Sequence, residues 1–149
     1  MSNNEKINLK LIAKNQEDLK VVSAYLQDSI VAIKDIVFLK QNRTFIMIAS
    51  RFMWEDVERG VFRKNKRIRC ALRFEYVQQV RSKNINQKNR DKLLECLAIK
   101  SFIDSDNICK IKIYFSGNGV ITMTAETIEL VIRDLGKAWD VKHAPKHKI

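Results

Sequence analysis

The sequence is poor in the residues that usually announce chemistry. Two histidines, His143 and His147, stand four apart in a tail with the lone proline, Pro145, between them. A proline disfavours the continuous helix that would aim both imidazoles at one metal. With Asp140 they make at most a weak transition-metal set, so no metal or cofactor site is expected. Three cysteines, Cys70, Cys96 and Cys109, lie far apart in apolar stretches with no C-x-x-C pair, which excludes a zinc knuckle and a redox dithiol. They read as reduced, mostly buried thiols. Four glycines and one proline are too few for a linker or a disordered tract. No run of about 18 apolar residues is present, so no membrane-spanning helix is expected. The first residues, MSNNEKINLKLIAK, lack the apolar stretch and cleavage site of a secretion signal, and a cytoplasmic location is the expectation. Also missing are H-E-x-x-H, G-x-S-x-G and a phosphate-binding loop.

What is present is a core. Apolar residues make up 46% of 149, enough for one domain over 1–149, with loose ends expected at 1–6 and 143–149. The formal charge of +11 draws polyanions. It is spread evenly: residues 1–75 hold 15 bases and 9 acids, and 76–149 hold 13 and 8. With 18 Lys, 18 Ile and 11 Asn, part of it matches the codon bias of an AT-rich genome.

Hydrophobic periodicity places the elements. INLKLIA (7–13) alternates as a strand, and a helix follows over about 16–30, capped by Asn15 and striped by Leu19, Val22, Leu26 and Ile30. DIVFLK and TFIMIASRF read as a hairpin across QNR. From Arg67 to Tyr76, Ile68, Cys70, Leu72, Phe74 and Tyr76 alternate inward, leaving Arg67, Arg69 and Arg73 on the outer face. LLECLAIKSFI, apolar on both sides, reads as a central strand; KIKIYF and VITMT flank the turn SGNG. AETIELVIRDLG predicts a C-terminal helix, with Ile128, Val131, Ile132 and Leu135 on one face and Gly136 as its cap. The expected fold is therefore α+β: a curved or barrel-like antiparallel sheet of about six to seven strands with a helix in the N-terminal half and another at the C-terminus. That element order is like a pleckstrin-homology-like barrel, a likeness that carries no function.

The candidate contacts lie around RFMWEDVERGVFRKNKRIRCALRF (51–74). Arg63, Lys64, Lys66, Arg67, Arg69 and Arg73, with the basic Lys83–Lys92 connection, are the candidate anion or nucleic-acid residues. Glu55, Asp56 and Glu58 are a carboxylate cluster without fixed geometry. Trp54 and Trp139 are candidate stacking or packing groups and, with His143 and His147, candidate partner contacts.

The stretches LKLIA (9–13), EDLKVVSAYLQDSI (17–30), RFMWE (51–55), the Arg67–Phe74 strand, LAIKSF (97–102) and DLGKAWDVKHAPKH (134–147) together resemble the mainly alphaproteobacterial family called domain of unknown function 2948. The resemblance implies a small stand-alone protein and supplies no catalytic or ligand residues. A complete core pattern without a catalytic set makes a non-enzymatic binding or adaptor module the leading expectation, for an unknown protein or small ligand. Electrostatic RNA or DNA binding is the alternative.

Overall fold

A computed structural model describes residues 9–54 and 65–141. The elements run β1 (Lys10–Ala13), α1 (Gln16–Leu26), β2 (Ile30–Ala32), β3 (Ile36–Leu39), β4 (Thr44–Phe52), β5 (Lys66–Phe74), β6 (Val77–Lys83), β7 (Leu93–Ile103), β8 (Cys109–Phe115), β9 (Val120–Ala125) and β10 (Leu130–Asp140). All ten strands belong to one antiparallel sheet in the order β1-β10-β5-β4-β2-β7-β8-β9-β6, with β3 added to β4. The path is open and does not close into a barrel.

Two half-sheets meet at β2. Ile30 pairs with Ser50 of β4 on one side, and Ile30, Val31 and Ala32 pair with Glu95, Leu94 and Leu93 of β7 on the other. The inner faces share one core: Phe45, Met47, Leu72, Phe74 and Ile132 from the first half, and Ile99, Ile111, Ile113, Ile121 and Met123 from the second. Helix α1 inserts Leu19, Val22 and Leu26 into that core while packing on β7, β1 and β4. Its start is as the sequence predicts: the Asn15 side chain accepts from the Asp18 N–H at 2.8 Å, and Asp18 Oδ2 accepts from the Lys14 N–H at 3.0 Å.

Five expectations need correction. The helix ends at Leu26 rather than near 30. Asp28 takes a left-handed backbone (φ 65°), its N–H donates to the Cys96 carbonyl, and the Ser29 carbonyl accepts from the Cys96 N–H, so Ile30 enters the sheet. The predicted C-terminal helix is the strand β10, and the likeness to a pleckstrin-homology element order loses the helix it rested on. Leu130, Ile132 and Asp134 point inward while Val131, Arg133 and Leu135 point outward, held between β1 and β5. Pairing on both edges overrides an apolar spacing that also fits a helix. Gly136 (φ 68°) is not a helix cap; it lies where the β10 register slips between Leu135 and Trp139. Tyr76 is not an inward strand residue, because it sits exposed with φ 59° in the turn to β6. The strand total is ten instead of six to seven, with β2, β6 and β10 the additions.

The hairpin of β3 and β4 turns through Arg43 (φ 54°), and SGNG turns through Gly117 (φ 76°), both as expected. β7 is central in the order, but only its Leu94, Cys96 and Ile99 face is buried; Leu93 and Leu97 on the other face are exposed. No helix among the described residues is long and apolar enough to cross a membrane.

Candidate nucleic-acid interface

The structure divides the basic residues singled out from the sequence. Arg63 and Lys64 lie outside the described residues, as do Glu55, Asp56, Glu58, His143 and His147. Lys66 stands opposite Asp140 in the β5–β10 register. The Arg67 guanidinium turns back on the protein: its Nη1 donates to the Ser50 carbonyl at 3.0 Å and the Asp28 carbonyl at 3.3 Å, and it lies over the Phe52 ring at 6.0 Å. Burial lowers its pKa below the usual arginine value, against the opposing pull of Asp28 and Glu95. Arg67 thus ties β5 to β4 and to the chain after α1, and does not share a free outer stripe. Arg69 and Arg73 do face outward, but Arg73 is ion-paired with Glu75. Their register neighbours are Ser50, Leu135, Ile46 and Val131, so the face is as apolar as it is basic.

The tryptophans separate too. The half-buried Trp54 packs edge-on against Phe52, centroids 4.5 Å apart, and its Nε1 donates to the Gln27 carbonyl at 3.0 Å. It caps one end of the first half-sheet, the packing role of an amphipathic aromatic. Trp139 is opposite Arg67 in register and remains 40% exposed.

A stronger basic surface lies on the other half-sheet, built from the central strand, KIKIYF and VITMT of the sequence reading together with the stretch around Arg81 and Lys83, to which no strand was assigned. β8 turns Ile111, Ile113 and Phe115 inward, which sends Lys110, Lys112 and Tyr114 outward. Register then aligns three rows across four strands. One reads Lys100, Lys112, Thr122, Arg81; the next Phe102, Lys110, Thr124, Gln79; the third Ala98, Tyr114, Val120, Lys83. These twelve positions hold five cations and no carboxylate. Strands about 4.8 Å apart make the platform about 14 Å wide, with rows about 7 Å apart. Both aromatics are engaged by lysines: Lys100 Nζ is 5.9 Å from the Tyr114 ring and Lys112 Nζ is 5.2 Å from the Phe102 ring. Lys110 Nζ donates to Thr124 Oγ1 at 2.9 Å, which orients its charge along the sheet. The signal was in the sequence: K-x-F (100–102), K-x-K-x-Y (110–114) and R-x-K (81–83) each have period two. Only the register puts them side by side.

Beneath the first half-sheet lies a buried ion pair that sequence reading missed. Arg51 Nε and Nη2 donate to Asp134 Oδ1 and Oδ2, each at 2.8 Å, and Asp134 Oδ2 also accepts from the Leu9 N–H at 2.9 Å. The Tyr25 ring lies 5.7 Å from the guanidinium. Nearby, burial pushes the Cys70 thiol up to about 12, with Arg51 pulling down and Asp134 pushing up. Burial also pushes Cys96 up to about 12, helped by Asp28. Half-buried Cys109 is raised by burial as well. All three are protonated at neutral pH; Cys70 and Cys96 are also shielded from reagents by burial, whereas Cys109 is partly accessible.

No curated protein and no solved structure gives a significant match to this chain. The family described as "protein of unknown function" (DUF2948) matches over residues 9–147, nearly the full length. The chain belongs to the DUF2948 family.

Proposed function

We propose that the protein is a binding module whose β6–β9 outer face takes single-stranded nucleic acid. The observation that carries this reading is the set of three aligned rows with five cations, two aromatics and no carboxylate. Cations spaced along and across strands neutralise successive phosphates, while Phe102 and Tyr114 offer rings on which bases stack. A flat sheet surface suits a splayed single strand better than the grooves of a duplex. If all five cations meet phosphates, log K falls with log salt at a slope of about −3.5, from about −0.7 per contact.

Fluorescence polarisation with a labelled oligouridylate, an oligothymidylate and a duplex of equal length, across a salt series, tests it. The expected result is tighter binding to single strands, with the slope cut by about 1.4 in the Lys100→Ala/Lys112→Ala variant. Binding that is absent at low salt, or unchanged by those substitutions, would end the proposal.

The opposite outer face favours a second reading, a protein adaptor. There Ile12 (51% exposed) and Val37 (45%) end a row that runs through Val131, Arg73 and Ile46, with Arg133 beside it, in a mixed apolar and basic surface. A partner retained by the native protein and lost on Ile12→Asp would support that reading; equal retention by both would oppose it.

A further inference from the structure

The sheet fails to close between β3 and β6, and the gap has fixed ends. Among the described residues β3 pairs only with β4, and β6 only with β9, so within them each presents an unpaired edge toward the other. At one end the Val77 N–H donates to the Arg43 carbonyl at 2.8 Å, and Arg43 Nη1 meets Glu126 at 2.5 Å. At the other, the 84–92 connection is fastened to the residues before β3: the Ile33 and Lys34 N–H groups donate to the Lys92 and Arg90 carbonyls at 3.0 and 2.9 Å. What remains is a window rather than a free groove. An added strand would have to break one of these fastenings, so the opening suits a compact molecule.

The window holds a cleft of about 280 Å³. Ile36, Phe38, Phe45, Val80 and Ile121 form its floor and walls. Ile85 closes one side, seated against Gly119, where a Cβ would stand 3.1 Å from Ile85 Cγ1. An apolar cavity of about 150 Å³ accepts one benzene ring. This cleft therefore accommodates roughly a ring with a short tail, or a chain of about eight carbons. Its mouth is polar on one side only. Gln87 Nε2 donates to Ser82 Oγ at 2.8 Å, and the exposed Arg90 side chain lines the rim beside them. The nearby acid, Asp91, is engaged by Lys34 Nζ at 3.3 Å. A half-open, mainly apolar cleft with one guanidinium and two neutral donors at its lip is complementary to an amphipathic monoanion.

We infer that this window is a binding site for a small amphipathic carboxylic acid, its apolar body in the cleft between β3 and β6 and its carboxylate on Arg90. The site is separate from the cationic face, whose side chains point away from the core on the other surface of β6 and β9.

Titration of the ¹⁵N-labelled full chain with octanoate, octanol and acetate tests it by chemical-shift perturbation. Octanoate is expected to give saturable shifts at the amides of Val80, Ser82, Ile85, Gln87 and Arg90; octanol binds about tenfold more weakly, and acetate gives none. Arg90→Gln, at an exposed position that leaves the fold intact, lowers octanoate affinity to that of octanol, and Lys112→Glu leaves it unchanged. Val80→Trp, which fills the cleft, abolishes binding. Octanol binding as tightly as octanoate, an unaltered affinity in Arg90→Gln, or no saturable shift at these amides would overturn the assignment.

Discussion

Replacing Asp134 by alanine tests how the first half-sheet is held. Both side chains of the Arg51–Asp134 pair are almost wholly excluded from solvent, at 0% and 1% exposure. The guanidinium is bidentate at 2.8 Å on each arm, so the substitution strips a buried cation of its counter-charge and two charge-assisted bonds. Breaking one side of such a pair costs about 3–5 kcal/mol. The same carboxylate accepts the Leu9 N–H, whose loss adds about 1 kcal/mol and loosens the start of β1. Against a total of about 5–15 kcal/mol for a domain, Asp134→Ala removes about a quarter or more of the stability. Urea unfolding followed by circular dichroism measures it. The control is Arg51→Met/Asp134→Leu, which replaces the pair by apolar groups of similar volume and is expected to recover most of the loss. A loss below about 1 kcal/mol in Asp134→Ala, or a double variant no more stable than the single, would refute the view that the buried charge, rather than local packing, sets the cost.

Other outcomes follow from features already placed. Below pH 9 a thiol reagent modifies Cys109 in the native protein and reaches Cys70 and Cys96 only after unfolding, read by mass spectrometry with and without urea. Since both buried thiols titrate at about 12 when folded, against about 9 when exposed, they favour the native state fully below pH 9. That contribution is lost as pH rises from 9 toward 12, visible as falling thermal midpoints over that window. Gly136→Ala costs about 1 kcal/mol in urea unfolding, because φ 68° strains any Cβ although open space surrounds it. Trp54→Phe keeps the ring near Phe52 but removes the donor to the Gln27 carbonyl, a loss of about 1 kcal/mol by the same measurement.

How much of this was legible depended on whether the signal was local. The Asn15 cap, the β3–β4 hairpin and the inward alternation of Ile68, Cys70, Leu72 and Phe74 are set by neighbouring residues and were readable from them. β6 was not: VQQVRSK is an edge strand with only Val77 and Val80 directed inward, and edges are kept polar against unwanted pairing. β10 was misread because Val131, Ile132 and Leu135 fit a helical face as well as a strand, and the deciding partners lie about 60 and 120 residues away. At the candidate site the error ran the other way. The dense run of bases around Arg67 drew attention, yet Arg67 is consumed internally and Arg73 is paired. The sparser lysines at 100, 110 and 112 gather only through register. Arg51 and Asp134, separated by 83 residues, were indistinguishable from surface charges until the chain folded.

The meeting of the half-sheets at β2 also bears on the order of events as the chain is made. The β6–β9 platform comprises residues 77–125, and within it β7, β8 and β9 pair with sequence neighbours. It is complete, with its cationic rows, before β10 has been synthesised. The first half-sheet waits, because among the described residues β5 gains its second partner and β1 its only one from β10, and the Leu9–Asp134 bond spans 125 residues. Non-local closures of this kind are slow, and until they form the β4–β5 edge stands open to foreign strands. Translation that halts before residue 130 would therefore leave a formed cationic face tethered to an unsealed edge, the state in which this chain most needs a chaperone.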